Sequence, residues 1–196
     1  MAIACLAAAA ESAADTLAQR GYALLDGSGV DLAAAAAVFD KLQGNSGEPL
    51  PVAAEHPLIA VLLGQAGVRD LVREAVGPAA AILRGTAYDQ QGHASWSLPW
   101  HQGHGGAEPV RGLTLRWHLD LIGPADGGLR VLPGSHSKGR LAPEAVDRLA
   151  AEIPAVELPV SAGTVLALRP LLIRGARRRT TRGHRRILQV ELAPRL

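Results

Sequence analysis

The fold is decided by the stretch Gly127-Gly128-Leu129-Arg130-Val131-Leu132-Pro133-Gly134-Ser135-His136. The paired glycines supply the backbone freedom that a chain reversal requires. The apolar run that follows them is typical of a short strand, and Pro-Gly-Ser predicts a second turn directly after it. The stretch therefore predicts a turn, a strand and a turn in succession, and its residues specify the fold rather than the chemistry.

The surrounding sequence continues this pattern from Ala79 onward, as short apolar runs separated by Gly and Pro. Such spacing is typical of an antiparallel sandwich or barrel. One helix interrupts the runs at Pro143–Ala151, with proline in its first turn, where a missing amide hydrogen costs little. The predicted strands lie near Ala80–Ala87, Leu113–Leu121, Leu129–Leu132, Ala155–Pro159, Thr164–Arg169 and Arg186–Leu192.

The amino-terminal part has a different character, because helical composition dominates up to residue 78. A short strand at Tyr22–Leu25 and a Gly-, Pro-, Asn- and Ser-rich loop at Gly44–Pro51 separate the helices. The predicted helices are Ala8–Arg20, Val30–Leu42, Pro57–Gly64 and Val68–Val76. We expect residues 1–196 to form one domain, with helical support in 1–78 and a β core in 79–196.

Composition and charge limit the partners and the cellular compartment that we expect for this protein. The net charge is only +2, yet seven of the thirteen residues from Arg174 to Arg186 are arginine. No aromatic residues interleave with these arginines, so we expect no nucleic-acid partner. No Lys or Arg precedes Arg20 and no run reaches the length of a membrane span, which favours an Ala-rich helix over a leader and predicts no membrane association. The single cysteine, Cys5, fits a reducing compartment, and we expect a cytoplasmic protein.

The predicted strand Leu113–Leu121 alternates strictly between apolar and polar residues. Its odd-numbered residues form one apolar face, which we expect to lie in the core. The other face carries a polar row that borders either bulk water or an internal cavity, and the alternation leaves both possibilities open. The polar residues are Thr114, Arg116, His118 and Asp120.

Three motifs in a fixed order resemble the phytanoyl-CoA dioxygenase family of Fe(II)/2-oxoglutarate oxygenases. They are Pro99-Trp100-His101-Gln102, the stretch Gly127–His136, and the run Gly163–Leu172 with Arg185 following it. The resemblance covers Ala80 to Ala193. It implies a mainly β fold with flanking helices (α+β), namely the cupin-like double-stranded β-helix or jelly roll.

The resemblance also implies an iron site, and the sequence departs from it at two ligand positions. His101 matches the first histidine ligand and Arg185 the arginine that holds 2-oxoglutarate, but Gly103 stands for the carboxylate and Arg174 for the second histidine. A guanidinium has no lone pair to donate. At about 4 Å it would repel a divalent metal by roughly 8 kcal/mol at an effective dielectric near 20. Halogenases of the superfamily also have Gly or Ala for the carboxylate, but they keep both histidines.

We therefore expect no cofactor and regard His101, Gly103 and Arg174 as vestigial metal positions. The alternative is Fe(II) and 2-oxoglutarate held by substituted ligands, such as the His-x-Asp pair His118 and Asp120 or the nearby His104. The remaining surface arginines after Arg174 are expected to be solvated in a loop or to steer anionic ligands. They are Arg177, Arg178, Arg179 and Arg182.

Each candidate residue has a functional and a structural interpretation. His101 is either a relic hydrogen-bonded in the core or a general acid/base, and His118 with Asp120 is either a base with its partner or an exposed strand face. Arg174 and Arg185 form a clamp for a carboxylate or phosphate, or Arg185 pairs with Glu191. The candidate catalytic residues are His101, His118, Asp120 and Arg174, and the candidate anion-binding residues are Arg185, Arg174, Arg116 and Gln102.

Three functions are compatible with these residues. The leading hypothesis is a metal-independent enzyme that performs redox-neutral chemistry, such as cyclisation, isomerisation or elimination, on a small anionic substrate. The second is a non-catalytic binding protein or partner subunit, as a homo-oligomer or beside a homologous chain. The third is an Fe(II)/2-oxoglutarate-dependent oxygenase or halogenase with substituted ligands.

Overall fold

The computed structural model describes residues 11–27, 29–43, 49–89, 97–103, 112–123, 126–158, 160–178 and 183–195. Two sequence signals fix the first helix: Ser12 and Asp15 form a capping box at its start, and Gly21, with φ 83°, ends it. The helices are α1 (Ala13–Arg20), α2 (Leu32–Gln43), α3 (Pro57–Gly64), α4 (Ala66–Ala75) and α5 (Pro143–Glu152).

Within the residues that the structure describes, ten strands form two antiparallel sheets. The major sheet has the order β1-β8-β5-β10-β3-β2, and the minor sheet has the order β4-β9-β6-β7. The strands are β1 (Tyr22–Leu25), β2 (Leu50–Val52), β3 (Ala80–Asp89), β4 (Leu98–Gln102), β5 (Leu113–His118), β6 (Leu129–Val131), β7 (Val156–Leu158), β8 (Val165–Leu168), β9 (Ile173–Ala176) and β10 (Arg186–Pro194).

The core has two layers, one on each face of the major sheet. Trp117 on β5 and Phe39 on α2 belong to the larger cluster, which joins α1 to α4 to the outer face of the major sheet. A second cluster, including Leu129 of β6 and Leu168 of β8, lies between the two sheets. Helix α5 packs through Val146 on the outer face of the minor sheet. The helices therefore lie outside, and the two sheets enclose an interior.

The stretch Gly127–His136 forms the expected turn, strand and turn. Gly127 and Gly134 adopt φ of 67° and 76°, a region that favours glycine. Between them β6 pairs with both β7 and β9 in the minor sheet. The buried Ser135 hydroxyl then accepts a hydrogen bond of 2.9 Å from the Ile173 amide. This one segment ties three parts of the minor sheet together.

The structure also corrects several sequence predictions. Strands β4 and β9 were not predicted, and β2 lies partly inside the predicted loop Gly44–Pro51. The other residues of that loop, 44–48, lie outside the described part of the chain. Strand β5 ends at His118 instead of Leu121, and Leu121, predicted to face the core, is 69% exposed. The alternation was extended too far because Leu119-Asp120-Leu121 keeps the pattern although the ladder with β10 stops at Leu119, beyond which the Arg186 amide donates to the Asp120 side chain.

Candidate functional site

The inner face of β5 carries the polar row that the alternation predicts. Leu113, Leu115 and Trp117 face the helices, so the side chains of Arg116 and His118 face the space between the sheets. The polar row therefore borders the interior of the barrel and not bulk water. Arg116 lies opposite Gln189 of β10, and His118 lies opposite Ile187 of the same strand.

Arg116 is a half-buried cation among other cations. Its guanidinium lies 5.9 Å from the centre of the Tyr88 ring on β3. Burial, followed by the charges of Arg185 and Arg174, lowers the pKa of Arg116 to about 10, although Tyr88 acts in the opposite direction. Within the described residues, its Nε has no hydrogen-bond partner. Arg174 and Arg185, from two separate segments, thus lie close enough to Arg116 to destabilise its charge.

His118 lies within the same group and is only 2% exposed. Burial lowers the pKa of His118 well below its usual value, and the charges of Arg116 and Arg185 lower it further. In the part of the chain that the structure describes, neither ring nitrogen of His118 has a hydrogen-bond partner. The ring is therefore neutral at physiological pH, with an open donor and an open acceptor.

Arg174 and His101 come from neighbouring strands of the minor sheet. They are register partners of β9 and β4, and Arg174 is also the partner of the inward-facing Val131. Arg174 is buried. The His101 ring is partly exposed, and its Nδ1 lies 2.9 Å from the Pro99 carbonyl oxygen. Two of the three positions that match the family's metal ligands thus carry an imidazole and a guanidinium, and both groups face the interior.

Arg185 is oriented by the turn that opens the decisive stretch. Its guanidinium donates to the carbonyl oxygens of Asp126 and Gly127, at 3.3 and 3.1 Å, and its backbone amide donates to Asp89 at 3.2 Å. Carbonyl acceptors orient a guanidinium without cancelling its charge. Arg185 is therefore a fixed, buried cation of the kind that recognises carboxylates or phosphates.

The residues at the family's metal positions do not fit a divalent iron. His101 supplies one nitrogen donor, Gly103 has no side chain, and Arg174 supplies a cation in place of a donor. Arg116 and Arg185 add further positive charge nearby. Gly103 also has φ 48°, so a ligand-bearing side chain at this position would be strained. The same group of arginines does suit an organic anion.

Two candidate residues are engaged elsewhere. The side-chain amide of Gln102 donates to the carbonyl oxygens of Gly139 and Leu171, at 2.8 and 2.9 Å, and accepts from the Leu141 amide at 2.9 Å. Asp120 lies beyond the end of β5 and accepts three hydrogen bonds from Arg186, at 2.7 to 3.1 Å. The structure therefore brings together Arg116, His118, Arg174 and Arg185, and it does not bring Gln102 or Asp120 to them.

Asp120 and Glu191 are each held by an arginine. Burial alone would raise the pKa of Asp120, but the hydrogen bonds and the charge of Arg186 outweigh burial and lower it. Glu191 pairs with Arg84 at 2.7 Å and accepts from Gln189 at 2.9 Å. The alternative pairing of Arg185 with Glu191 is not observed among these contacts.

One group of ligand atoms in the described residues is close enough to hold a metal ion. It consists of Asp40 on α2, Asp89 on β3 and His184, whose donor atoms all lie within 4.8 Å of one another. Asp89 shares the helix-facing side of β3 with Ala87, which belongs to the core under the helices. This group therefore lies on the opposite side of the major sheet from Arg116 and His118. His184 Nδ1 lies 2.9 Å from Asp89, and Arg186 binds Asp40 at 3.1 Å.

Sequence reasoning missed Tyr88 and the group Asp40, Asp89 and His184. Tyr88 was detectable, because extending the predicted strand Ala80–Ala87 by one residue places it on the inner face. The second group was not detectable, since Asp40 and His184 are far apart in the sequence and meet only through tertiary packing. His104, Arg179 and Arg182 lie outside the described residues.

A pocket among the described residues lies at the other end of β10 from Arg185. It has a volume of about 550 Å³, and Arg169, His136 and Pro194 contribute to its lining. Among all the residues that the structure describes, no helix is long and apolar enough to cross a membrane.

Comparison with protein families gives a match over most of the chain. The model described as "Phytanoyl-CoA dioxygenase (PhyH)" matches residues 3–187. No curated protein matches the sequence.

Several solved structures share the fold. The apoform of EctD from S. alaskensis is 20% identical over 92% of this chain and 75% of its own, with a TM-score of 0.79. The non-heme alpha ketoglutarate dependent epimerase SnoN from nogalamycin biosynthesis is 17% identical over 93% of this chain and 81% of its own, with a TM-score of 0.75. HygX from Streptomyces hygroscopicus, with nickel and 2-oxoglutarate bound, is 20% identical over 91% of this chain and 84% of its own, with a TM-score of 0.72.

EctD has also been solved with bound Fe. This chain is shorter than these proteins, and it spans only 49% of the length of EvdMO1, another structure with the same fold. At these identities the likeness establishes the fold, which confirms the predicted jelly roll.

Proposed function

The chain belongs to the phytanoyl-CoA dioxygenase family, and from that premise we propose that it binds a small organic anion inside the barrel without iron and performs redox-neutral chemistry on it. The observation that carries the proposal is the pairing of Arg116 and His118 on the inner face of β5. His118 is buried and Arg116 is half-buried, and the pKa of each is lowered by desolvation and by neighbouring arginines. An anion between them would relieve this charge repulsion.

The proposed roles follow from what each group offers. Arg116, Arg174 and Arg185 hold negative charge, and Arg185 is oriented for this by two backbone carbonyls. His118 exchanges protons with the substrate, because its neutral ring has both nitrogens open. His101 is a second proton-transfer group from the minor sheet. An isomerisation fits this set, because a proton leaves one substrate atom and returns to another with no further reactant.

A second candidate function is an iron-dependent enzyme with relocated ligands. It is favoured by the group Asp40, Asp89 and His184, whose two carboxylates and imidazole are suitable donors for a divalent metal. Relatives in fold are also described with bound Fe or nickel. Against it, the group lies across the major sheet from the inner face of β5. A metal held there would be separated from an anion bound beside Arg116.

The two candidates are tested by anaerobic titration of the purified protein with Fe(II) and 2-oxoglutarate. We expect no stoichiometric iron and no visible charge-transfer band of the chelate. Stoichiometric iron with that band would overturn the metal-independent proposal. If iron binding is then lost in Asp89→Asn and retained in His101→Ala, the relocated site is the metal site.

Anion binding is tested separately with sulfate and with succinate as probes. We expect both anions to raise the thermal unfolding temperature of the wild-type protein. The effect should be lost in Arg116→Gln and retained in Arg177→Gln, which changes an exposed arginine in the basic segment. Equal stabilisation of both variants would place the anion on the surface and reject the proposed site. Anion binding without turnover of any substrate would instead favour a binding protein or partner subunit.

A further inference from the structure

His118 is buried in a position where its hydrogen-bonding capacity is unused. Polar groups that are withdrawn from water almost always have a partner in folded proteins. Yet both ring nitrogens of His118 lack one within the described residues, and the side chain is on the inner face of β5 beside Arg116. A ring in this situation is suited to a ligand that supplies the missing partner.

The groups around His118 are mostly basic. Arg116 and Arg185 act on it directly through their charges. Its register partner on β10, Ile187, is apolar, and the inner residues of β8, Leu166 and Leu168, are apolar as well. The titratable and charged groups that the described neighbouring elements direct to the interior are Arg116, Tyr22, Tyr88, His101, Arg174, Arg185 and the pair Arg84 and Glu191.

We propose that an oxyanion that enters the barrel beside Arg116 hydrogen-bonds to His118 and that His118 takes up one proton from solvent as the anion binds. This inference rests on the proposed function, because it concerns the same interior site. It adds the ligand class, an oxyanion that binds together with a proton, and it assigns the proton to His118.

An oxyanion and a neutral imidazole do not match in their hydrogen-bonding groups. The oxygens of a carboxylate or phosphate only accept hydrogen bonds, whereas a neutral imidazole has one donor and one acceptor nitrogen. The acceptor nitrogen of His118 would then remain buried without a partner or face an anion oxygen. Protonation converts both nitrogens to donors. A protonated ring therefore matches an oxyanion better than a neutral ring does.

The balance of charge around His118 also changes when an anion binds. Without a ligand, a proton on His118 would sit beside the positive charges of Arg116 and Arg185, and this repulsion keeps the ring neutral. An anion placed among these groups replaces repulsion with attraction, and the pKa of His118 rises. Binding and proton uptake are then thermodynamically linked. Between the two pKa values, anion affinity should weaken by up to about tenfold for each unit of rising pH.

The test is isothermal titration calorimetry of the full chain with sodium sulfate, repeated in two buffers that differ in ionisation enthalpy. Sulfate does not itself titrate near neutral pH, so any proton that is taken up on binding is taken up by the protein. Succinate serves as the carboxylate counterpart. We expect uptake approaching one proton per bound anion, and affinity that falls as the pH rises. Histidine-ring NMR of the wild-type protein should show one ring becoming protonated when sulfate is added.

Three variants identify the group. Uptake should disappear in His118→Gln and persist in His56→Asn, because His56 caps α3 at a distant position where asparagine also caps well. The inference is overturned if sulfate binds to wild type without proton uptake, if uptake persists in His118→Gln, or if it disappears only in His101→Gln. Sulfate binding without uptake leaves the proposed anion site standing, whereas the absence of any sulfate binding overturns both proposals. If His118→Gln does not fold, the wild-type NMR result decides.

Discussion

His101 and Arg174 are register partners on β4 and β9, so the imidazole at the first metal position faces the minor-sheet interior beside a guanidinium. The pairing explains why a divalent metal is disfavoured at this place: the neighbour that should donate an electron pair brings a positive charge instead. The guanidinium adds positive charge to the interior beside His101, on two strands that pair with each other.

Restoring both lost ligands should restore metal binding. We expect the double variant Gly103→Asp and Arg174→His to bind one Fe(II) per chain, measured by metal analysis after anaerobic loading, while the parent binds none at this site. The strand pairing is already in place, so only donors are added. The variant should also be less stable by about 1 kcal/mol, because Gly103 has φ 48° and a side chain is strained there.

The single variant Arg174→His is the matched control for the double variant. With two histidines and no carboxylate, it should bind iron more weakly than the double variant. If the parent already binds iron as tightly as the double variant, and His101→Ala abolishes that binding, the assignment of the vestigial ligands is wrong.

Gln102 should matter for stability and not for ligand binding. Its amide makes three hydrogen bonds to backbone groups of the segment 139–141 and of Leu171. We expect Gln102→Ala to lower the free energy of unfolding by about 2–3 kcal/mol, because three buried or half-buried backbone groups lose a partner. Denaturant unfolding measures this change.

Two further variants sharpen the Gln102 prediction. Gln102→Glu should be at least as destabilising, since it directs a carboxylate oxygen at the carbonyl oxygens of Gly139 and Leu171. Gln19→Ala, at an exposed position of α1, should change stability by less than about 0.5 kcal/mol. A loss of sulfate affinity in a folded Gln102→Ala protein would contradict the structural role.

The lowered pKa of His118 makes stability depend on pH. The unfolded chain binds a proton to this histidine near pH 6.5, whereas the folded chain does so only at lower pH. The stability that His118 contributes is therefore complete above about pH 6.5 and is lost as the pH falls, by up to about 1.4 kcal/mol per unit.

Urea unfolding between pH 7.5 and 5 checks the size of this dependence. His118→Gln should have a shallower pH dependence than wild type, and His56→Asn should resemble wild type. Sulfate should reduce the acid loss in wild type, because the anion stabilises the protonated ring. Identical pH dependences of His118→Gln and wild type would show that His118 is not held neutral by folding.

The pair Asp120 and Arg186 should contribute to folding rather than to catalysis. Arg186 donates to both carboxylate oxygens of Asp120, and its backbone amide donates to one of them. We expect Asp120→Asn to cost about 1.5–3 kcal/mol at neutral pH, because it removes charge-assisted hydrogen bonds. Asp40 binds the same arginine from a more exposed position, so Asp40→Asn should lower the free energy of unfolding by less than about 1 kcal/mol. Equal losses in the two variants would reject this ranking.

Much of the fold was predictable because turn residues and alternation are local signals. Gly127 and Gly134 marked the turns around β6, and the apolar row of β5 marked the face under the helices. Strands β4 and β9 were missed because their pairing is tertiary: Trp100 stacks with Arg130 at 4.8 Å on the outer face of the minor sheet, and neither strand alternates between apolar and polar residues.

The site was partly predictable for a related reason. Arg116 and His118 follow from alternation, since they share one face of a regular strand. The same rule failed at Asp120, because it assumes that the strand continues, and β5 ends at His118. The role of Gln102 was not readable from sequence, since its three partners belong to segments that folding alone brings to it.

Pro51 gives the edge of the major sheet a further property. It lies in the middle of β2, the last strand on that side, and its exposed ring has no amide hydrogen to offer. A second chain approaching this edge would find an interrupted row of donors in a strand of only three residues. Self-association by continuing the sheet past β2 is thereby discouraged, and a second chain that extends a sheet would have to pair with another edge strand.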